Sequence, residues 1–208
     1  MEIVAVLAMV IGNFVALMQT NIKRMLAYSS IANIGYVFVA LSAANGYSIV
    51  GMMIFLMAYL FANIGAFMVA IGFSNRTGSD QINDYAGMVR RNPMATVMMT
   101  IFMLSLMGIP PTAGFLGKYW LFAAAVKEHI YWLVVVAILM SVVSVFYYAN
   151  IIRKMFFHSQ EDESKIYFGP ALGIGIVISG ILIILICLTP SMFYDLASQA
   201  AKVFFPQF

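Results

Sequence analysis

Six long apolar runs dominate the sequence, and each of them has 17 residues or more. An α-helix needs about 20 such residues to cross the hydrocarbon core of a bilayer. Only 9% of the residues are charged and 63% are hydrophobic, whereas soluble domains carry about 25% charged residues. We therefore expect one all-α integral membrane domain over residues 1–208. Its six predicted transmembrane helices cover about residues 3–19, 25–43, 49–73, 94–126, 130–152 and 170–192.

The basic residues between these runs predict the orientation, because loops facing the cytoplasm are enriched in lysine and arginine. If the loops alternate sides, eight basic residues lie on one side of the membrane, and only Lys127 and Lys202 lie on the other. We therefore expect a multi-pass protein of the cell inner (plasma) membrane with both termini on the non-cytoplasmic side. The basic side holds Lys23, Arg24, Arg76, Arg90, Arg91, Arg153, Lys154 and Lys165.

The fourth run is too long for a simple span. Residues 94–126 would reach about 50 Å as one helix, well beyond a core of about 30 Å. Its centre carries Gly108, Pro110, Pro111 and Gly114, and consecutive prolines remove amide donors and clash with the preceding turn. The sequence therefore predicts two half-helices joined by irregular backbone, a feature that marks ion or substrate sites in transporters.

Lys118 follows this break closely and is the one basic residue that falls within a predicted span, since the other ten lie in loops or at helix ends. A charge inside the bilayer costs at least about 2.5–3.5 kcal/mol, so it needs a partner or a function. Proton transfer is the functional interpretation. The alternative is a side chain that extends along its helix until the ammonium group reaches the membrane surface.

Further polar residues lie inside the predicted spans. Ser29, Asn33 and Tyr36 share one helix face, because they are spaced by four and three residues. Asn63 and Ser144 lie in the third and fifth spans. These side chains are candidates to line a hydrated channel with Lys118, or they form ordinary interhelical hydrogen bonds worth about 0.6 kcal/mol each.

The sequence offers no motif for a cofactor, a metal ion or a nucleic acid. It contains one cysteine and no nucleotide-binding fingerprint or haem-attachment motif. His129 and His158 lie in predicted loops without a second ligand at metal-binding spacing. The basic residues form no tract of the kind that binds nucleic acid. We therefore expect no redox centre and no metal site in this chain.

Two stretches resemble the antiporter-like membrane subunits of respiratory complex I, and most closely the subunit N (subunit 2) group of NADH:quinone oxidoreductases. They are QTNIKRMLAYSSIANIGY at residues 19–36 and LMGIPPTAGFLGK at residues 106–118. The resemblance implies a fourteen-helix fold with two inverted five-helix repeats, of which this chain corresponds to the last six helices. The first repeat, with its glutamate and lysine, lies outside this sequence.

The resemblance also implies roles for particular positions. Lys118 matches the lysine of the second broken helix, which belongs to the half-channel that releases protons. Asn33 stands where the family often has histidine, so a titratable relay is not expected there. The absence of a lysine near Asn63 and of a long lateral helix favours subunit N over its sister subunits.

The function implied is that of a proton-translocating membrane-arm subunit of NADH:quinone oxidoreductase. NAD, FMN, iron–sulfur clusters and quinone are then expected on other subunits. The expected partners are other membrane-arm subunits, including sister antiporter-like subunits, and the lipid bilayer. Two alternatives share the same helix pattern: a subunit of a cation/proton antiporter or membrane-bound hydrogenase complex, and a structural membrane-arm piece without its own proton path.

Overall fold

The protein is all-helical in the computed structural model, which describes residues 1–158 and 164–204. No β-strand occurs in these two ranges, and a 3₁₀ turn at Ile82–Tyr85 lies in the loop after the third helix. The all-α fold expected from the apolar runs is confirmed. The helices are α1 Glu2–Leu17, α2 Ile22–Ala43, α3 Gly46–Thr77, α4 Met88–Arg91, α5 Pro93–Met107, α6 Ala113–Lys127, α7 Tyr131–Phe157, α8 Pro170–Leu188 and α9 Pro190–Phe204.

Four of the described helices, α2, α3, α7 and α8, are long and apolar enough to cross a membrane by themselves. Helices α1 and α5 are also apolar but shorter. Helix α3 is the central element, because it packs against α2, α5, α6, α8 and α9. Buried side chains of α3 and α5, such as Ala62, Phe102 and Met103, belong to the main apolar core.

The predicted break in the fourth span is confirmed, since α5 ends at Met107 and α6 begins at Ala113. Gly108 stops α5 by adopting the left-handed conformation, with φ of 77°. The Pro110–Pro111 peptide bond is cis. Thr112 then caps α6, because its hydroxyl oxygen accepts a hydrogen bond from the Phe115 amide at 3.3 Å.

The two half-helices overlap closely at the break. The Gly114 amide donates a hydrogen bond to the Ser105 hydroxyl at 3.2 Å, and a Cβ on Gly114 would collide with the Ser105 carbonyl. On the next turn, a Cβ on Gly117 would lie 2.6 Å from the Cα of Phe55. Both glycines therefore allow the start of α6 to lie against the backbones of α5 and α3.

The basic residues gather at one end of the helix bundle, which we call the basic end. Lys23 pairs with Asp80 at 2.7 Å, Lys154 donates to the side chain of Asn83, and Lys165 donates to the Arg90 carbonyl at 2.8 Å. The hydrogen bond from Lys23 holds the pKa of the Asp80 carboxyl below its usual range. These contacts join the start of α2, the segment between α3 and α5, and the end of α7 with the segment that follows it.

The last helix differs from the sequence prediction, which ran the sixth span to residue 192. Helix α8 ends at Leu188, and Pro190 begins a separate helix because proline is well tolerated in a first helical turn. Helix α9 buries Ala197 and Ala201 against Val50 of α3. It therefore lies at the end of the bundle opposite the basic end, which we call the far end.

Candidate functional site

Lys118 lies on α6 and is 5% exposed. Its ammonium group donates hydrogen bonds to the carbonyl oxygens of Leu106 at 3.2 Å and Met107 at 3.0 Å. A third hydrogen bond reaches the Ser141 hydroxyl of α7 at 2.9 Å. An ammonium group has three N–H donors, so each of them has an acceptor.

The position of the ammonium group follows from the helix break. Leu106 and Met107 are the last residues of α5, and the final carbonyls of a helix have no partner within that helix. Side chains on a helix lean toward its N-terminus, which directs Lys118 back toward the break. The head group therefore points into the bundle rather than along α6 toward the membrane surface.

The electrostatic environment of Lys118 consists of dipoles and an aromatic ring. Lys23 and Asp80 form an ion pair, but it lies at the basic end and not beside Lys118. The ammonium group instead stands 4.7 Å from the centre of the Tyr36 ring, a distance at which the negative face of the ring attracts a cation. The carbonyl oxygens of α5 supply the remaining negative potential.

The face of α2 that was predicted from spacing is buried, and its three residues have different contacts. Tyr36, 1% exposed, lies against Lys118 through its ring. The Ser29 hydroxyl donates to the Leu26 carbonyl at 2.7 Å, and the Asn33 side chain donates to the Ser29 carbonyl at 2.9 Å. Of the three, Tyr36 contacts the Lys118 ammonium group through its ring.

The three hydrogen bonds of the Lys118 ammonium group go to residues other than Asn63 and Ser144. The side-chain oxygen of Asn63 is buried and has no hydrogen-bond partner among the described residues. The Ser144 hydroxyl donates to the Ser141 carbonyl at 2.6 Å. Ser144 therefore lies one turn beyond Ser141, which is the α7 residue in direct contact with Lys118.

Asn13 is a buried polar residue that the sequence analysis did not select. It is fully buried on α1, and its side-chain oxygen accepts a hydrogen bond from the Tyr147 hydroxyl at 3.0 Å. Its side-chain nitrogen donates to the Met9 carbonyl at 2.8 Å. The signal in the sequence is a lone amide inside the first apolar run.

An apolar cavity borders the other side of Lys118. It has a volume of about 740 Å³ and lies between α6 and α7. Phe122, Val134 and Ile138 form part of its wall, and Lys118 and Ser141 reach it from the break. The lysine thus stands between this cavity and the buried polar residues of α1, α2 and α7.

The fold and the site together define a polytopic membrane protein with a discontinuous helix and a buried lysine at the break. The chain belongs to the family described as NADH:quinone oxidoreductase/Mrp antiporter, transmembrane, whose pattern matches residues 1–146. This match includes both stretches that carry the resemblance, so the family predicted from the sequence is confirmed.

Individual relatives agree with this family. The chain is similar to NADH-quinone oxidoreductase subunit N of Desulforamulus reducens, with 46% identity over 97% of this chain and 42% of the relative. Among solved structures it resembles a chain of the respiratory complex I of Thermus thermophilus with bound aureothin. That match has a TM-score of 0.81 and 32% identity, and it covers 93% of this chain and 44% of the other.

A chain of the Mrp complex from a Dietzia species has the same fold, with a TM-score of 0.89 over 97% of this chain and 46% of that one. At 17% identity, this likeness concerns the fold alone. The present chain spans less than half the length of the relatives it matches. These relatives and neighbours belong to multi-subunit membrane complexes.

Proposed function

We propose that this chain forms part of a proton-translocating membrane-arm subunit of a NADH:quinone oxidoreductase, in which Lys118 takes up and releases a proton at the helix break. The observation that carries the proposal is the burial of this lysine against the two carbonyls that end α5. Ionisable residues inside a membrane mark ion and proton pathways. The name of a relative, NADH-quinone oxidoreductase subunit N, supports a role in a quinone-reducing complex.

Lys118 is suited to this task because its surroundings favour both of its forms. The carbonyls of Leu106 and Met107 and the ring of Tyr36 stabilise the ammonium form. The apolar cavity next to it favours the neutral amine, because burial in apolar surroundings disfavours a charge. Small changes in hydration at the break therefore shift the balance between the two forms.

The remaining parts of the proposal concern the whole complex. Electron transfer from NADH to quinone takes place on other subunits, which hold the NAD, FMN and iron–sulfur centres. This chain holds no redox group and contacts other membrane-arm subunits, including sister antiporter-like subunits. It lies in the inner (plasma) membrane with the basic end in the cytoplasm and both of its termini on the other side.

The test uses the assembled complex in membrane vesicles with the variant Lys118→Ala. We expect loss of NADH-driven proton pumping with the complex still assembled, whereas the matched variant Lys127→Ala pumps like the wild type. Lys127 is the control because it ends the same helix and lies against the ring of Tyr47 at the far end. Normal pumping in Lys118→Ala would leave the chain a structural piece of the membrane arm.

The same vesicles distinguish the antiporter alternative. A complex driven by NADH acidifies or alkalises the vesicle interior only when NADH and quinone are present. A cation/proton antiporter responds instead to an imposed sodium gradient without NADH. Proton movement driven by sodium alone and lost in Lys118→Ala would assign the chain to the antiporter class.

A further inference from the structure

A line of buried polar side chains continues from Lys118 into the bundle. Ser141 contacts the ammonium group at 2.9 Å. The Tyr36 hydroxyl lies beside the side chains of Ser141 and Asn13, and Asn13 accepts the hydrogen bond from Tyr147. The line therefore joins four helices, α6, α7, α2 and α1, through residues that are far apart in the sequence.

The line includes hydroxyl groups that are buried without a full set of partners. The hydroxyls of Tyr36 and Tyr148 have no well-formed hydrogen bond to a described residue. Tyr148 lies beside Tyr147, Ser29 and Asn33, which adds the α2 face to the same polar region. Leaving a buried polar group without a partner is unfavourable, so these hydroxyls favour small polar guests such as water.

The direction of the line follows from positions along the helices. Helix α7 runs from Tyr131 at the far end to Phe157 at the basic end. Tyr147 therefore lies about 9 Å closer to the basic end than Ser141, at about 1.5 Å per residue. On α1, Asn13 lies one turn before Leu17, where the helix ends.

Beyond Tyr147, the line reaches a cavity at the basic end. This cavity has a volume of about 590 Å³, and Tyr147 is part of its wall. Its wall is mainly apolar, with side chains such as Leu17 and Phe146, but Gln19, Asn150 and Arg153 also line it and supply amide and guanidinium groups that water wets readily. From Lys118 toward the far end, the neighbouring cavity has a smaller polar share, with Lys127 at its end.

We propose that protons reach Lys118 from the basic end of the bundle, through this cavity and along the Asn13–Tyr147 pair. Each hydroxyl on the way accepts a proton on its oxygen and passes its own proton on, with water bridging the gaps. The proton that enters at the cavity ends on the Lys118 amine, and every hydroxyl is restored. Asn13 is a positioning residue, since its side-chain amide does not titrate and its oxygen holds the Tyr147 hydroxyl by a hydrogen bond. The Tyr147 hydroxyl turns from that oxygen to a bridging water when it passes its proton on.

This inference rests on the proposed function and adds the side of the membrane from which protons reach Lys118. The resemblance implies that the lysine of the second broken helix belongs to a half-channel that releases protons. The contacts of this chain connect that lysine to the basic end, which is the side expected to face the cytoplasm. Lys118 is therefore loaded from the uptake side.

The first test uses Tyr147→Phe and Asn13→Leu in the assembled complex, with Tyr28→Phe as the matched control. Tyr28 is a partly buried tyrosine that packs on the main core outside the polar line. We expect a several-fold lower rate of proton pumping in the first two variants and a larger solvent deuterium isotope effect on that rate. Tyr28→Phe keeps both at the wild-type value, and wild-type rates in all three variants would overturn the route.

The second test determines the side of access with a thiol at the cavity. In a Cys187→Ser background, Asn150→Cys is modified by a membrane-impermeant thiol reagent added at the basic end. The control is His158→Cys, because His158 is exposed at the same end of α7 and does not line the cavity. We expect modification of Asn150→Cys to block pumping and modification of His158→Cys to leave it unchanged. The reverse pattern, or pumping that neither thiol affects, overturns the inference.

These outcomes separate the inference from the proposed function. If Lys118→Ala abolishes pumping while Tyr147→Phe and the modified Asn150→Cys pump normally, the route is wrong and the role of Lys118 stands. If Lys118→Ala pumps normally, the proposed function fails first.

Discussion

Gly117 is the position where a single methyl group has the most predictable effect on this site. A Cβ at Gly117 would lie 2.6 Å from the Cα and 3.0 Å from the Cβ of Phe55, whereas carbon atoms in contact stay about 3.5–4.0 Å apart. In Gly117→Ala, α6 must therefore move about 1 Å away from α3. Overpacking of this kind costs about 1–3 kcal/mol, a roughly 5- to 150-fold shift in a folding equilibrium.

The same movement reaches Lys118, the next residue on α6. Its hydrogen bonds of 3.0 and 3.2 Å to the α5 carbonyls stretch toward 4 Å, and a contact beyond about 3.5 Å is no longer a hydrogen bond. We therefore expect Gly117→Ala to lower both the amount of assembled complex and the pumping rate of the complex that remains. The amount is measured by quantitative immunoblotting after native electrophoresis, and the rate in vesicles.

The control for this prediction is Gly173→Ala on α8, where a Cβ would meet no atom within 4 Å. Alanine is favoured over glycine inside a helix by about 0.5–1 kcal/mol, so this variant should assemble and pump at least as well as the wild type. Equal assembly and equal pumping in the two variants would refute the claim that the α3–α6 contact sets the position of Lys118.

Two further predictions concern the ends of the bundle. The pKa of Asp80 is lowered by its hydrogen bond from Lys23. The pair therefore stabilises the fold above the unfolded-state pKa of about 3.9. This stabilisation is lost as the pH falls through the lower folded-state pKa. Between about pH 6 and about pH 3, the thermal unfolding temperature of the solubilised complex should depend less on pH in Asp80→Asn than in the wild type. The difference is small, because the side chains of Lys23 and Asp80 are about a third exposed. An identical pH dependence in the two proteins would contradict the assignment. At the far end, Ala197→Arg should detach α9, because Ala197 is buried against α3. Hydrogen–deuterium exchange of residues 190–204 should rise in this variant and stay unchanged in the exposed control Gln199→Arg, and equal exchange in both would argue against the docking of α9.

The broken helix was predictable from local chemistry. Pro110 and Pro111 lack amide hydrogens. Gly108 ends α5 in the left-handed conformation, and Gly114 allows the close backbone contact at the start of α6. The burial of Lys118 followed from the same stretch, because no other basic residue fell inside an apolar run. These features depend on neighbours within one segment, which sequence patterns describe directly.

The partners of Lys118 were not predictable in the same way. Ser141 and Ser144 share a face of α7, and only the height of the break relative to α7 decides which of them reaches the ammonium group. The contact between Asn13 and Tyr147 joins residues 134 positions apart, and it depends on the rotation of both helices about their axes. Helix α9 was not predicted from apolar runs, because its polar and apolar residues alternate with the helical period and form no continuous run.

Lys118 also completes the end of α5, and this gives the helix break a chemical role. The Gly108 amide and the Ile109 amide bond to the carbonyls of Leu104 and Ser105, and the next two carbonyls, those of Leu106 and Met107, bond to the lysine. The ammonium group is thus a cap for the last turn of α5. When it loses its proton, the amine keeps only two N–H donors and no longer carries a charge that attracts the carbonyl dipoles. The hydrogen bonding at the break and the protonation of Lys118 are therefore linked, so a change in either one alters the other.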